Sequence, residues 1–268
     1  LKVSTFCGLV FGSFDPHIMA LEDWLGKVGD GIRRTLRKPL KVLGYDTQRI
    51  HANRKNYHEN PRDSFHANIL HTFFATFGLS RQSQESALVI DDAGRHAYFY
   101  TKAGTERKDE NFEKTQETLR SKNSRFSLRD RSVLDWRDEY GDGISIQILS
   151  LYPTFVLHQI SNSLATRQLV TYSPTMCDLH WTYFGLEDDT PEMTERRLFQ
   201  QNLAGSAGLV SMEDASVCEM VARAIADGQA GASFMQMGGK ELNAGGSSKL
   251  SERALRNFWN NYRGQMSL

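Results

Sequence analysis

Residues 143–187, GISIQILSLYPTFVLHQISNSLATRQLVTYSPTMCDLHWTYFGLE, read as three or four strands in antiparallel succession. Polar–apolar alternation at Ile144, Ile146 and Ile148, and again at Phe155 and Leu157, predicts a sheet with one buried face. Upstream, ALVIDDAGRHAYFYTK (87–102) has the form of a β-hairpin turning at Asp91-Asp92-Ala93-Gly94. The opening LKVSTFCGLVFGSF (1–14) predicts one or two strands, broken at Asp15-Pro16, and 40–46 predicts a short one. Ile18, Leu21, Leu25, Val28, Ile32 and Leu36 recur at helical spacing and predict an amphipathic helix over 18–37. A second helix is expected over 59–77, with Gly78 as its stop. Thr190 and Pro191 start a third over 190–202. LAGSAGLVSMED (203–214) interrupts it, and 215–226 is helical again. Ser251 caps a closing helix over 251–266. The charged 104–142 stretch predicts an exposed excursion with a helix at 110–119, and the Gly- and Ser-rich 228–248 a loop or lid. The sum is α+β: an antiparallel β-sheet with helices packed on one face, helix-grip-like, in a single domain over 1–268.

Lys+Arg and Asp+Glu balance at 32 each, which argues against nucleic acid or a membrane surface as partner. No apolar run is long enough to span a bilayer, and no secretory signal opens the chain. The three cysteines, Cys7, Cys177 and Cys218, are odd in number and widely spaced. They fit a reducing, cytoplasmic setting better than a disulfide framework. The first residue is Leu, so a start inside a longer protein is expected.

The chemistry concentrates in YHENPRDSFHANILHTFFATFGL (57–79), where His, Asp, Asn and Glu interrupt an apolar segment. Such groups are costly there unless paired or ligand-bound. On a helical wheel of roughly 100° per residue, Ile69, Leu70, Phe73 and Phe77 fall within about 60° of His66. Asp63, Asn60 and His71 then lie at about 60°, 120° and 140°, along one edge of the buried stripe. The His-x4-His spacing is looser than the His-x3-His of zinc proteases, so a shared ligand requires a bend, for which Pro61 gives a cause. Two imidazoles and a carboxylate with open positions make the facial triad of non-haem Fe(II) oxygenases. The carboxylate must come from elsewhere, and GSAGLVSMED (205–214) offers Glu213 or Asp214.

Taken together, these segments resemble the catalytic domain of the large (alpha) subunit of Rieske non-haem iron aromatic-ring-hydroxylating oxygenases. That family carries Asp-x-x-His-x4-His after a Glu-Asn pair, and here stand Glu59-Asn60, Asp63, His66 and His71. GSAGLVSMED resembles the segment supplying the third ligand, which maps to Asp214 with Glu213 as neighbour. NFWNNYRGQM (257–266) and LYPTFVLHQISNSLATRQL (151–169) also fit, so the resemblance covers essentially the whole chain. RDSFHANILHTFFATFGL and NSLATRQL look closest to the salicylate hydroxylase, anthranilate dioxygenase and terephthalate dioxygenase branch. Two departures touch the wall of the site: Asn53-Arg54-Lys55 lacks the usual Trp, and Phe65 replaces the usual Tyr. A Rieske [2Fe–2S] centre needs paired Cys and His. Only Cys177-Asp-Leu-His180 offers half of one, and its strand-like setting makes that spacing chance, so the Rieske domain is expected upstream of Leu1.

The resemblance implies mononuclear Fe(II) on His66, His71 and Asp214, inside a substrate cavity. It implies an aromatic substrate of benzoate type, O2 as co-substrate, and a cis-dihydrodiol or phenol as product. Electrons would come from NADH through a reductase, with or without a ferredoxin, and a Rieske cluster of the neighbouring subunit in a homotrimer of alpha subunits, with or without beta subunits. Asp63 matches the aspartate that bridges cluster and iron ligand, and Asn60 a polar residue beside the iron. Ala67, Ala204, Leu209 and Val210 match cavity positions; His158, Gln159 and Asn162 are candidates to orient a substrate carboxylate or hydroxyl. An arginine is the expected carboxylate partner. None is singled out, since Arg167 lies in a strand motif common across the family. A rival from another class is a non-catalytic helix-grip module holding an apolar ligand; a zinc hydrolase lacks a placed general base.

Overall fold

The computed structural model describes residues 1–105, 128–228, 231–242 and 245–268. Strands β1 (Lys2–Phe6) and β2 (Leu9–Ser13) pair as a hairpin of their own. Its two-residue turn puts Cys7 and Gly8 at φ +50° and +81°, the left-handed geometry that matches strand twist. The main sheet contains β3 (Leu40–Ile50), β4 (Ser86–Ile90), β5 (Ala97–Lys102), β6 (Ile144–Leu151), β7 (Phe155–Ile160), β8 (Ser163–Ser173) and β9 (Met176–Leu186). Their order is β3-β9-β8-β7-β6-β5-β4, antiparallel throughout. The 143–187 stretch therefore forms four strands in succession, and 87–102 the expected hairpin, with Gly94 at φ +70°. The strand expected at 40–46 runs on to Ile50, because β9 offers it a full-length edge.

Helices α1 (Leu21–Leu25) and α2 (Val28–Thr35) replace the single helix expected over 18–37. Gly26, at φ +51°, ends the first, and Leu25, Val28, Ile32 and Leu36 remain buried. The remaining helices are α3 (Arg54–Glu59), α4 (Thr72–Phe77), α5 (Pro191–Phe199), α6 (Gln201–Ala204), α7 (Leu209–Ala226) and α8 (Arg253–Met266). Thr190 caps α5 by accepting from Met193 N at 3.2 Å, and Ser251 accepts from Arg253 N at the start of α8. The helix expected at 110–119 lies outside the described residues. No helix among the described residues is long and apolar enough to cross a membrane.

One core lies between the sheet and α3, α4, α6, α7 and α8, with Tyr57, Phe74, Ala204, Val210, Cys218 and Ala254 meeting Ile146, Ile148, Ile160 and Trp181. This is the helix-covered face the alternation anticipates. The alternation also predicts a solvated opposite face, and that expectation fails: β6 is buried at all eight positions. The β1–β2 hairpin, α1 and α2 cover that side, seating Phe6, Val28 and Ile32 on Leu149, Leu151 and Leu157. Gln147 points there and donates to Gly31 O and Thr35 Oγ1 at 2.9 and 2.8 Å, so even its polar position is satisfied.

Candidate metal centre and its cavity

The continuous helix expected over 59–77 does not form. Asn53 caps α3 by accepting from Lys55 N at 3.0 Å, and α3 gives way to a 3₁₀ turn at Asn60–Arg62 that holds Pro61. At Asp63 the backbone leaves helical space (φ −88°, ψ 87°), and its Oδ1 accepts from Phe65 N at 3.0 Å. That local bond competes with helix continuation. A second 3₁₀ turn, His66–Asn68, precedes α4, which Gly78 ends in left-handed geometry at φ +73°. The wheel therefore misplaces its residues: Ile69 is 64% exposed, while His71 is buried. Breaking the helix is what brings the two histidines to one point.

That point is Asp214. His66 Nε2 lies 3.4 Å and His71 Nε2 3.1 Å from its Oδ1, and Asn60 Nδ2 donates to the same oxygen at 2.8 Å. One ligand atom from each of His66, His71 and Asp214 lies within 4.8 Å of the others. Each imidazole is held from behind. His71 Nδ1 meets Glu213 Oε2 at 2.7 Å, and His66 Nδ1 donates to the Asp63 carbonyl, with Asp63 Oδ2 4.0 Å away. An Nδ1–H bonded to an acceptor leaves the Nε2 lone pair free, and here both face one carboxylate. Burial disfavours the Asp214 carboxylate, yet the hydrogen bonds from His66 and His71 hold its pKa well below the carboxylate range. Burial likewise opposes charge on His71, but Asp214 and Glu213 raise its pKa above the ordinary imidazole value. A buried N,N,O set this polarised suits a divalent cation that takes the place of the shared proton. Asp214 is not at a loop's end as expected: α7 begins at Leu209 and carries Asp214 in its second turn.

A cavity opens beside these three side chains. Its apolar wall includes Pro61, Phe74, Phe99, Ile146, Ile148 and Ile160, together with Ala67 and Val210 among the expected residues. Its polar lining includes Asn60, Ser64, Ser80, Arg167 and Lys249. The other expected cavity residues stand elsewhere. Leu209 is 44% exposed and Ala204 is buried in the core. His158 is buried outside the cavity lining, its Nδ1 2.6 Å from Arg167 Nη2. Gln159, one residue on, faces away, accepting from Arg34 Nη1 at 2.6 Å and donating to Ile144 O. Asn162 sits in the β7–β8 turn, where it donates to Arg137 O and Glu139 Oε2. Cys177 and His180 lie on β9, one buried and one exposed, as a three-residue spacing on a strand requires.

Sequence reading names Arg167 without choosing it and passes over Lys249. Arg167 carries a weak signal, a charge in register with apolar neighbours on a buried strand. Lys249 carries none, since a Gly- and Ser-rich segment reads as surface. Both are buried, and burial pushes the Lys249 ammonium down to about 8.

Residues 36–268 match the family described as ring hydroxylating alpha subunit (catalytic domain). The chain is 42% identical over 267 residues to the terephthalate 1,2-dioxygenase terminal oxygenase component subunit alpha 2 of Comamonas sp, which covers 99% of this chain and 64% of that protein. It is 34% identical over 267 residues to the anthranilate 1,2-dioxygenase large subunit of Burkholderia cepacia, covering 98% and 62%. With salicylate 5-hydroxylase large oxygenase component of Ralstonia sp it shares 34% over 251 residues, covering 90% and 57%. The chain thus spans less than two thirds of the length of these relatives. Naphthalene 1,2-dioxygenase from Rhodococcus sp. bound to indole superposes with a TM-score of 0.77 at 18% identity, over 99% of this chain and 66% of that one, which establishes a common fold.

Proposed function

Because this chain belongs to the family of ring-hydroxylating alpha subunits, in the catalytic domain, we propose that it hydroxylates a carboxylated aromatic ring with O2, using mononuclear Fe(II) held by His66, His71 and Asp214. The observation that carries this reading is the convergence of both Nε2 atoms on Asp214 Oδ1 while both Nδ1 atoms are tied to protein acceptors. Bound there, Fe(II) supplies the redox chemistry that O2 needs to react with an aromatic ring.

The chain's own residues do the rest. Glu213 and the Asp63 carbonyl fix the tautomer and ring plane of His71 and His66. Asn60 holds the Asp214 carboxylate in its rotamer from the cavity side. The apolar wall seats a ring and keeps water from it. The buried cations of the cavity favour a benzoate-type acid, in line with the substrates that the names of the Comamonas, Burkholderia and Ralstonia proteins carry. Electrons reach this site from NADH through a reductase, with or without ferredoxin, and a Rieske [2Fe–2S] cluster on the neighbouring subunit of a trimer. Asp63, one-third exposed on the outer side of His66, lines a groove with Glu59, Phe65 and Ile69 and suits the bridging position. The three free cysteines fit a cytoplasmic protein.

Iron analysis after anaerobic purification tests the reading. About one iron per chain is expected, lost in His66→Ala and in Asp214→Ala. No iron under any loading condition would sink it and favour a non-catalytic binding module.

A further inference from the structure

At one end of the cavity the wall is a single stretch of chain. Residues 245–250 cross the end beside β4 and β5, and of these Lys249 lines the cavity. On the other side of the same stretch lies a solvent-facing recess, lined by Gly246, Ser247, Ser248 and Leu250 together with Leu88. Elsewhere among the described residues the lining comes from β5 to β8, from α4 and α7, from the 60–71 segment and from Ser80. The cavity nears open space at one other place, where Asn60 and His66 line both the cavity and the outer groove beside Asp63. A molecule passing there would have to push aside two side chains that meet Asp214.

Hydrogen bonds fasten this stretch. Gly246 exchanges two of them with Leu88 on the β4 edge of the sheet, at 2.8 and 2.9 Å, in a bridge of one residue pair. The Lys249 amide donates to Ser86 Oγ at 3.2 Å, and its carbonyl accepts from Ser64 Oγ. Its Nζ donates to Ser80 Oγ at 2.7 Å and to Thr101 Oγ1 at 3.0 Å. Gly245 to Ser248 are exposed, while Lys249 is 1% exposed. A segment with few buried apolar contacts and exposed backbone hydrogen bonds is among the first to open locally. The lysine lowers the cost further: burial pushes its ammonium down to about 8, and withdrawal into water removes that penalty. Both ends of the stretch are tied to the start of α8, where Gly245 O accepts from Arg253 Nη1 and Ser251 Oγ from Arg253 N, each at 3.2 Å.

We propose that residues 245–250 form the door of the cavity, with Lys249 as its bolt: the Gly246–Leu88 bridge parts, the lysine swings out toward the recess, and an aromatic molecule enters and leaves at that end. The inference rests on the reading that this cavity takes an aromatic molecule. It adds the route, and it makes opening of the door the limit on the rate of exchange. Two adjacent glycines separate the door from a general loosening. A Cβ on Gly245 would lie 2.5 Å from Leu88 O, so a methyl group there pries the bridge apart. A Cβ on Gly246 would meet nothing closer than Arg253 Nη1 at 3.9 Å.

The test follows door and cavity separately in the full chain. Acetic anhydride labels Lys249 when its amine is outside. Benzyl bromide labels the thiol of an Ile148→Cys variant, in the cavity lining, when a ring has entered. Peptide mass spectrometry reads both rates. In that background Gly245→Ala is expected to raise the two rates together by at least about tenfold, and Gly246→Ala to change neither by more than about twofold. Ser86→Ala removes one acceptor of the door and leaves both glycines in place. It should raise both rates by about three- to tenfold, so the outcome does not hang on Gly245→Ala folding. The buried thiols of Cys177 and Cys218 should stay unlabelled throughout. Their labelling in step with the other two sites would make the opening global and overturn the door. Faster labelling of Lys249 with an unchanged rate at the cavity thiol places entry elsewhere and overturns it too, as do unchanged Lys249 rates in both Gly245→Ala and Ser86→Ala. Neither readout uses iron or turnover. A failed door in protein that binds iron leaves the oxygenase reading standing. Protein that takes no iron while both rates rise together loses that reading and keeps the door.

Discussion

At His71 two carboxylates divide the work: Asp214 faces Nε2 and Glu213 faces Nδ1. Adjacency in sequence leaves Glu213 and Asp214 as rivals. A helix turn of about 100° separates them in space and sends them to opposite edges of one imidazole. Glu213→Gln should therefore keep iron but weaken it by about 10- to 100-fold, read as faster loss to a chelator; Asp214→Ala should not load at all. Lys249 makes a stability prediction of unusual sign. Its pKa falls from 10.5 to about 8 because burial disfavours the ammonium. Below about pH 8 the fold bears that penalty in full, and the penalty disappears as pH rises toward the unfolded value, so this group makes stability increase between those limits. The shift amounts to about 3 kcal/mol. Even after losing the bonds to Ser80 and Thr101, Lys249→Met should melt a few degrees higher than wild type at pH 7, with the advantage shrinking above pH 8. Thermal melts across pH check it, and a lower melting temperature at pH 7 would contradict it.

Among the elements, the 54–79 segment shows how far local pattern carries. Asp63, His66 and His71 are recognisable by type and spacing, but the helical period used to place them is absent, because Asp63 takes the Phe65 amide for itself. The turn from α6 into α7 is equally decisive and harder to see. A Cβ on Gly208 would lie 2.6 Å from the Leu203 carbonyl carbon and 2.7 Å from two backbone oxygens. Only a glycine lets the chain fold back there and start α7, which carries Asp214 six residues later. Gly208→Ala should cost about 1–3 kcal/mol and also lower iron content, though it touches no ligand. Gly264→Ala is the matched control: in α8, with nothing within 4 Å of its Cβ position, it should stabilise by up to about 1 kcal/mol and leave iron unchanged. Urea titration with metal analysis separates the two outcomes.

The whole molecule is held where distant segments meet. Fully buried Arg197 of α5 donates Nε to Asp189 at 2.7 Å and Nη1 to the Asn162 carbonyl at 2.6 Å, and it also binds Glu139. It thereby ties helix, β7–β8 turn and the segment before β6 at one end of the sheet. Arg197→Met would leave two carboxylates without their cation and should lower stability by about 3–5 kcal/mol, read as a drop in urea midpoint with the site's iron retained in the folded fraction. Asn162, taken from sequence as a substrate contact, belongs to this lock instead. The contrast marks the boundary between the two sources of information. Sequence alone determined the antiparallel run of strands, the α+β class, the candidate pair of histidines and the segment offering the carboxylate that both of them face. Those follow from residue type, period and short spacing, which are local. Tertiary structure alone decided that the sheet is covered on both faces, that Gln159 and Asn162 turn away from the cavity, and that Arg167 and Lys249 enter it. Those depend on strand register and on segments more than eighty residues apart being folded against one slot.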